Sequence, residues 1–290
     1  TASISQLDGE KIEKFSFKNK EEIEKAISNI KTKKFNITDI SSKVVSRNPS
    51  GPFTTSTLQQ VASSRLGFGA SRTMQIAQKL YQGIEIEGDT VGLITYMRTD
   101  GTNLSADAVS DFRNFIKKEY GNEYLPENPN NYSGKKAKNA QEAHEAIRPT
   151  DINRNPDSVK KYLSSDQQKL YSLIWSRALS SQMETAKFDR NTITIESEDG
   201  KTICKSSGSV LKFDGFLKVY SNQSKDDDEQ ILPEMSKGPI NIEALIDEQH
   251  FTQPPPRYSE ASLVKKLEEL GIGRPSTYAS IISTIANRGY

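Results

Sequence analysis

The sequence has very few of the residues that build disulfides and zinc sites. It contains one cysteine, Cys204, and two histidines, His144 and His250, among 290 residues. A single thiol cannot form an internal disulfide, and three such side chains cannot complete a four-ligand Cys/His zinc site. We therefore expect no metal site in this chain.

Long apolar runs and an excess of charge of one sign are also missing. No stretch approaches the roughly 20 apolar residues that span a bilayer, and no signal-peptide pattern opens the chain, which favours a cytoplasmic protein without a membrane partner. The 39 basic residues nearly balance the 38 acidic ones. Any contact with nucleic acid must therefore come from local placement of charge.

Three common catalytic motifs are absent. Gly200-Lys201-Thr202 ends like a phosphate-binding P-loop, but Ile195 stands where the first glycine belongs. His144-Glu145 begins like a zinc-protease helix without its second histidine, and no Gly-x-Ser-x-Gly elbow occurs. ATP hydrolysis by a P-loop and these two hydrolase chemistries are therefore excluded.

The stretch ITYMRTD, Ile94 to Asp100, carries the first candidate chemistry. In an extended chain Tyr96 and Arg98 lie on one face, because successive side chains alternate. A phenol with a pKa near 10 is only about 0.1% ionised at neutral pH, so a nucleophilic tyrosine needs a cation or a base beside it. Arg98 could supply the cation and grip a phosphate, and His144 is a candidate proton carrier. The alternatives are a tyrosine packed on the core, an Arg98–Asp100 surface ion pair and a structural histidine.

The order of patterns along the chain predicts a multidomain α and β protein. Turn-forming residues at Asn48–Pro52 and the triplet Pro254–Pro256 mark two boundaries between alternating and helical patterns. We predict a β-rich domain interrupted by a helical one, followed by the start of a second helical domain. The boundaries are 1–52 and 185–254 for the two parts of the β-rich domain, 53–184 for the helical domain and 255–290 for the last.

The helical domain has a winged-helix-like pattern. Ser56 and Gln59 fit a capping box, the following helix breaks at Gly67–Gly69, and a second helix carries a stripe that includes Leu80 and Tyr81. A hairpin bent at Gly88–Asp89 then leads into ITYMRTD. We also predict a short helical turn at Gln141–Ile147.

Three further charged stretches stand out in the sequence. Arg274, Ser276 and Thr277 follow Gly273 at a helix start, where free N–H groups could bind a phosphate, although simple capping would explain the two hydroxyls. The basic run Lys135–Lys138 and the acidic run Asp226–Glu229 are most simply solvated loops.

Four stretches together resemble the type IA DNA topoisomerases, in their bacterial topoisomerase I branch. They are PFTTSTLQQVASSRLGFG from Pro52, ITYMRTDGTNLS from Ile94, QEAHEAIRPTD from Gln141, and PPRYSEASLVKKLEELGIGRPSTYASIISTIANRGY from Pro255. The Tyr-Met-Arg order is similar to topoisomerase I rather than to topoisomerase III, in which a proline commonly follows the tyrosine.

The resemblance implies that Tyr96 attacks a phosphodiester of single-stranded DNA, joins the 5′ phosphate and releases a 3′ hydroxyl, and that reversal reseals the strand. It implies that Arg98 holds the scissile phosphate and that His144 lies near the active site with Asp100 as its acidic partner. No ATP is needed, because the bond energy is held in the phosphotyrosine. The residues expected to bind the DNA backbone are Arg274, Ser276, Thr277 and Arg288.

In family terms the β regions form an arch domain, the helical insert carries the tyrosine, and the last segment begins a DNA-binding domain. Two departures from the family pattern stand out. Gly101 replaces the usual serine, which we expect to loosen that turn, and the Toprim domain that supplies the acidic Mg²⁺ ligands is missing. Because the chain starts at Thr1 without Met and stops at Tyr290 without a tail, it resembles an excised piece.

The resemblance thus predicts a piece of a monomeric, nucleoid-associated enzyme that acts on single-stranded and negatively supercoiled DNA. Without the Mg²⁺ ligands, the piece is expected to bind single strands weakly and not to cleave alone. One alternative is a non-catalytic DNA-binding module, which would form no covalent adduct through Tyr96. Another is a scaffold for protein partners, which would show no salt-dependent affinity for single-stranded DNA.

Overall fold

The computed structural model of the chain describes residues 1–132, 144–220 and 232–290. These ranges form eight α-helices, a six-stranded antiparallel sheet and a separate two-stranded hairpin. Lys135–Lys138, Gln141–Ala143 and Asp226–Glu229 lie outside the described residues. In the ranges that are described, none of the helices combines the length and apolar character needed to cross a bilayer.

Contacts divide the chain into two compact units. The β unit comprises Thr1–Arg47, Ala186–Asp214 and the described part of 223–254. The helical unit comprises Asn48–Thr185, the described part of 215–222 and Pro255–Tyr290. The last segment, 255–290, therefore belongs to the same compact unit as Ile94–Asp100.

The β unit is a sheet built around three long strands. The strands are β1 Ser3–Leu7, β2 Glu10–Lys11, β3 Phe35–Arg47, β6 Ala186–Ser197, β7 Ile203–Phe213 and β8 Gly238–Ile240. Their spatial order in the sheet is β2-β1-β7-β6-β3-β8, and all neighbouring strands are antiparallel.

The β unit also contains helix α1, Lys20–Lys31. Asn19 caps the helix by accepting a hydrogen bond from the Glu22 amide, and Ile30 is its buried residue. Phe35 and Ile37 at the start of β3 are also buried, whereas the rest of that strand is exposed. On β6 the buried positions are spread along the strand and include Ala186, Phe188 and Ile193.

The helical unit holds most of the fully buried side chains of the described residues, including Phe53, Leu58, Leu80 and Leu93. Its elements are α2 Thr55–Val61, α3 Ala70–Gln82, β4 Ile84–Ile86, β5 Asp89–Val91, α4 Ala106–Glu119, α5 Pro156–Val159, α6 Ser165–Ser181, α7 Glu260–Glu269 and α8 Tyr278–Asn287. Helix, turn, helix and hairpin follow in the predicted order from α2 to β5. The hairpin turn lies at Glu87 and Gly88, which both have positive φ, and it delivers the chain to Ile94.

Two local predictions in this unit are wrong. The capping box of α2 uses Thr54 and Thr57 rather than Ser56 and Gln59, because the Ser56 hydroxyl donates instead to the Glu268 carboxylate at 2.7 Å. The described part of the predicted turn at Gln141–Ile147 is extended, since Ile147 pairs with Phe53 in an antiparallel bridge.

Candidate active site

The segment Ile94–Asp100, here called the tyrosine segment, alternates between solvent and core from Tyr96 to Asp100. Ile94, Met97 and Thr99 are each 1% exposed, whereas the Tyr96 side chain is 40% exposed. Arg98 and Asp100 are also exposed, on the side of Tyr96. The predicted alternation is confirmed, and the alternative of a tyrosine packed in the core is wrong.

A buried threonine fixes the backbone on either side of Arg98. The Thr55 side chain is fully buried at the start of α2. Its hydroxyl donates to the Met97 carbonyl at 2.7 Å and accepts from the Thr99 amide at 2.8 Å, and the Thr55 amide donates to the Thr99 carbonyl at 2.9 Å. These bonds hold Arg98 at the exposed position between them.

A second threonine ties the tyrosine segment to the segment that carries His144. The Thr95 hydroxyl donates to the Ala146 carbonyl at 2.7 Å and accepts from the Arg148 amide at 3.0 Å. The Thr95 amide donates to the Arg148 carbonyl at 2.9 Å. The two segments are therefore joined directly next to Tyr96, although about 50 residues separate them in the sequence.

These segments and the start of α8 enclose a cleft of about 220 Å³. Six of the eight predicted site residues line it: Tyr96, Arg98, Asp100, His144, Arg274 and Ser276. An open groove of about 480 Å³ elsewhere in the helical unit contains none of them. The cleft thus combines a phenol, an imidazole, two guanidinium groups, a carboxylate and a hydroxyl.

The other two predicted residues lie outside the lining of this cleft. Thr277 is the N-cap residue of α8, and its hydroxyl oxygen accepts a hydrogen bond from the Arg274 amide at 2.8 Å. Arg288 is exposed at the opposite end of the same helix. The Thr277 hydroxyl therefore holds the turn before α8 and makes no capping hydrogen bond to the helix, whereas Arg274 and Ser276 line the cleft.

Gly101 packs tightly instead of loosening its turn. A Cβ atom built on Gly101 would lie 2.0 Å from the carbonyl oxygen of His144. The Gly101 amide donates to the Thr99 hydroxyl at 2.9 Å. The missing side chain therefore lets the His144 backbone approach the tyrosine segment.

Aromatic neighbours surround the Tyr96 ring. The Tyr81 ring lies edge-on at 5.3 Å between centroids, and the His144 ring lies at 6.2 Å. Tyr81 was assigned from the sequence to the inward stripe of a helix, so its role beside the site was missed. The only signal was its place in the last turn of that helix, close to the hairpin that leads to Tyr96.

A second tyrosine near the cleft is unsuited to act as a nucleophile. Burial raises the pKa of Tyr278, the charges of Glu268 and Asp100 raise it further, and the Arg274 charge opposes them. A raised pKa keeps this phenol protonated at neutral pH. Tyr96, which is far more exposed than Tyr278, is the better placed phenol.

The residues of the cleft do not fit a Mg²⁺ site. Asp100 is the only carboxylate in its lining, and no group of three or more His, Cys, Asp or Glu side chains converges within the described ranges. The guanidinium groups of Arg98 and Arg274 beside Asp100 repel a cation, so this single carboxylate is a poor ligand set for Mg²⁺. The cleft is therefore suited to an anion.

A phenol beside two guanidinium groups defines a site suited to a phosphodiester, and comparison with known proteins agrees with this class. The sequence profile of the DNA topoisomerase family matches residues 2–290, and the chain belongs to that family. DNA topoisomerase 1 of Rickettsia felis is 49% identical and that of Rickettsia typhi 51% identical, each over the whole of this chain. The chain spans 38% of the length of these two relatives.

A solved structure is similar as well. Full-length topoisomerase I from Thermotoga maritima superimposes with a TM-score of 0.77 at 38% sequence identity, covering 100% of this chain and 45% of that one. The mixed α/β fold with an antiparallel sheet is therefore shared with a bacterial topoisomerase I.

Proposed function

We propose that the intact protein containing this chain is a type IA DNA topoisomerase. In this proposal it cuts one DNA strand, passes another strand through the break and reseals it, relaxing negative supercoils without ATP. The observation that carries the proposal is the half-exposed Tyr96 in one cleft with Arg98, His144 and Arg274. Family membership and the relatives named DNA topoisomerase 1 support it.

In the cleavage step the Tyr96 oxygen forms a bond to phosphorus while the bond from phosphorus to the 3′ oxygen breaks. The phenol loses its proton and the departing 3′ oxygen gains one, so the number of phosphodiester bonds and the net charge are unchanged. Arg98 binds the phosphate and stabilises the charge that develops on it. His144, with Asp100 nearby, is the group that can take up and return a proton.

Arg274, the second arginine of the cleft, binds the DNA and takes no part in making or breaking bonds. Arg274 and Ser276 are placed to contact the phosphate backbone of the cut strand, with Thr277 supporting their turn and Arg288 reaching the strand beyond it. The β unit corresponds to the arch domain, and 255–290 to the beginning of the DNA-binding domain. We assign the Mg²⁺ ligands to the intact protein outside residues 1–290, so the chain alone binds single strands and does not cleave them.

The test is a covalent adduct between the intact protein and a 5′-labelled or 3′-labelled single-stranded oligonucleotide. We expect the protein to retain the fragment downstream of the cut, through its 5′ phosphate, and Tyr96→Phe to abolish this adduct. Tyr258→Phe is the matched control, because Tyr258 is exposed and outside the cleft lining. An adduct that survives in Tyr96→Phe would rule out the assignment. Binding without any adduct would instead favour a non-catalytic DNA-binding module.

A further inference from the structure

Tyr81 is a large aromatic side chain placed against the proposed nucleophile. Its ring is 40% exposed and meets the Tyr96 ring at 5.3 Å between centroids, with 65° between the ring planes. This is the edge-to-face geometry that aromatic pairs prefer. We propose that Tyr81 is a positioning residue that fixes the orientation of the Tyr96 ring in the cleft. The inference rests on the proposed function, in which Tyr96 is the nucleophile.

The backbone of Tyr81 is locked to the chain that leads to Tyr96. The Leu93 amide donates to the Leu80 carbonyl at 2.7 Å, and both of these side chains are fully buried. A Cβ atom at Gly92 would lie 2.7 Å from the Tyr81 carbonyl oxygen, so only glycine permits this approach without a shift. The end of α3 and the start of the tyrosine segment therefore form one rigid base from which both rings project.

A half-exposed tyrosine needs such a neighbour to hold one orientation. The phenol rotates about two side-chain torsions, and exposed side chains change rotamer within nanoseconds. A nucleophile must point its oxygen at phosphorus, because small misplacements of reacting atoms slow a reaction strongly. The Tyr81 edge restricts the ring on one side, and the His144 ring lies within 6.2 Å of it.

The expected effect follows from the strength of an aromatic pair. Such a pair contributes roughly 0.5–1.5 kcal/mol beyond its buried area, which converts to about 2-fold to 12-fold in rate at 1.36 kcal/mol per factor of ten. The contact uses the ring and not the Tyr81 hydroxyl. Tyr81→Phe should therefore behave as the parent protein, whereas Tyr81→Leu, which keeps an apolar side chain but no ring, should not.

Two measurements on the intact protein test the proposal. The first is the single-turnover rate of adduct formation at saturating oligonucleotide, together with the Kd. The second is the ¹⁹F NMR signal of fluorotyrosine at position 96, assigned by its loss in Tyr96→Phe. We expect Tyr81→Leu to slow the saturating rate about 2-fold to 12-fold, to leave the Kd unchanged and to shift the Tyr96 signal, and we expect Tyr81→Phe to restore the parent rate and signal.

Three results would overturn the proposal. One is a Tyr81→Leu protein with an unchanged rate and an unchanged ¹⁹F signal. Another is a weaker Kd with an unchanged saturating rate, which would make Tyr81 a platform for a nucleobase instead. The third is a Tyr81→Phe protein as slow as Tyr81→Leu. Failure of the proposed function gives a different result, namely an adduct that persists in Tyr96→Phe. The ¹⁹F signal would still show whether Tyr81 contacts the Tyr96 ring in that case.

Discussion

At the scale of single residues, Thr55 holds the tyrosine segment in place through one buried hydroxyl. Replacing it by valine keeps the shape but leaves the Thr99 amide and the Met97 carbonyl without that partner. Unsatisfied buried groups cost about 1–3 kcal/mol each. We expect Thr55→Val to lower the free energy of unfolding by about that amount and to slow adduct formation.

The matched variant Thr55→Ser keeps the hydroxyl and should recover most of both losses. The measurements are urea unfolding and single-turnover adduct formation. Equal stability of the serine and valine proteins would show that the hydroxyl does not hold this segment.

Arg98 is predicted to act on the transition state. Removing one charge-stabilising donor commonly costs on the order of 10² to 10³ in rate, so we expect a loss of this size in Arg98→Ala. Arg98→Lys should recover little of it, since an ammonium group cannot reproduce the two-pronged contact of a guanidinium with phosphate. Single-turnover adduct formation at saturating DNA checks both variants. A lysine protein with the parent rate would show that charge alone suffices.

The residues of the cleft were predictable to the extent that they follow a local rule. The alternation of Tyr96, Arg98 and Asp100 follows from the two-residue period of an extended chain. Tyr81 could not be recognised, because a helical stripe does not reveal that its last member contacts the Tyr96 ring. The close contact of Gly101 with His144 joins residues far apart in the sequence and carries no local signal.

At the scale of elements, helix α3 receives its N-terminal cap from another helix. Gly69 at the N-cap position has no side chain to offer, and the Glu260 carboxylate from the start of α7 accepts a hydrogen bond from the Ala70 amide at 2.7 Å. The negative charge also complements the positive end of the α3 dipole. This contact joins α7 to the helix whose other end holds Tyr81.

Removing that cap should destabilise the helical unit. We expect Glu260→Ala to cost about 0.5–2 kcal/mol, as the loss of a capping side chain does, and Glu260→Gln to cost less because it keeps an acceptor oxygen. Glu269→Ala is the control, since Glu269 is on the same helix and only meets Lys266 at the surface. Urea unfolding followed by Trp175 fluorescence measures the differences. Equal effects of Glu260→Ala and Glu269→Ala would contradict the capping role.

Capping also shows why the first residue of a helix was harder to predict than the presence of the helix. The hairpin that leads into Ile94 has a local turn signal, and its turn at Glu87 and Gly88 lies one residue before the predicted Gly88–Asp89. The cap of α2 was placed two residues too late, at Ser56 instead of Thr54, because the sequence does not reveal that Ser56 is engaged by Glu268 on α7. Several nearby hydroxyls can cap the same helix, and a tertiary contact to one of them can determine which one does.

At the scale of the whole molecule, we expect the β unit to be less stable in acid than at neutral pH. The Ser197 hydroxyl and the Lys201 amide lower the pKa of Asp199 to about 2, and Lys33 contributes to this and also lowers the pKa of Asp8. A carboxyl whose folded pKa is depressed stabilises the fold above its unfolded pKa of about 3.9, and this stability is lost as pH falls towards the folded value.

We therefore expect the hydrogen-exchange protection of the β6–β7 amides to decline between about pH 4 and pH 2. Asp199→Asn should flatten this decline, whereas Asp39→Asn, at an exposed position on β3, should not. An identical pH profile in Asp199→Asn and the parent chain would contradict the contribution of this carboxylate.

The near-zero net charge of the chain limits its contact with DNA to local arginines. If Arg98, Arg274 and Arg288 each neutralise one phosphate, the logarithm of the binding constant should fall with the logarithm of salt concentration at a slope of about −2. Arg288→Ala should reduce the slope by about 0.7. Fluorescence anisotropy with a single-stranded oligonucleotide measures both values. A slope near zero would contradict phosphate binding by these residues.

Mass spectrometry of the trapped adduct identifies the residue whose oxygen carries the cut DNA end, which we expect to be Tyr96. The intact protein is incubated with a single-stranded oligonucleotide, denatured and digested, and the peptide that carries a nucleotide is sequenced. We predict a phosphodiester from the Tyr96 oxygen to the 5′ end of the downstream fragment. A nucleotide found instead on Tyr81, Tyr278 or any other residue would contradict the account.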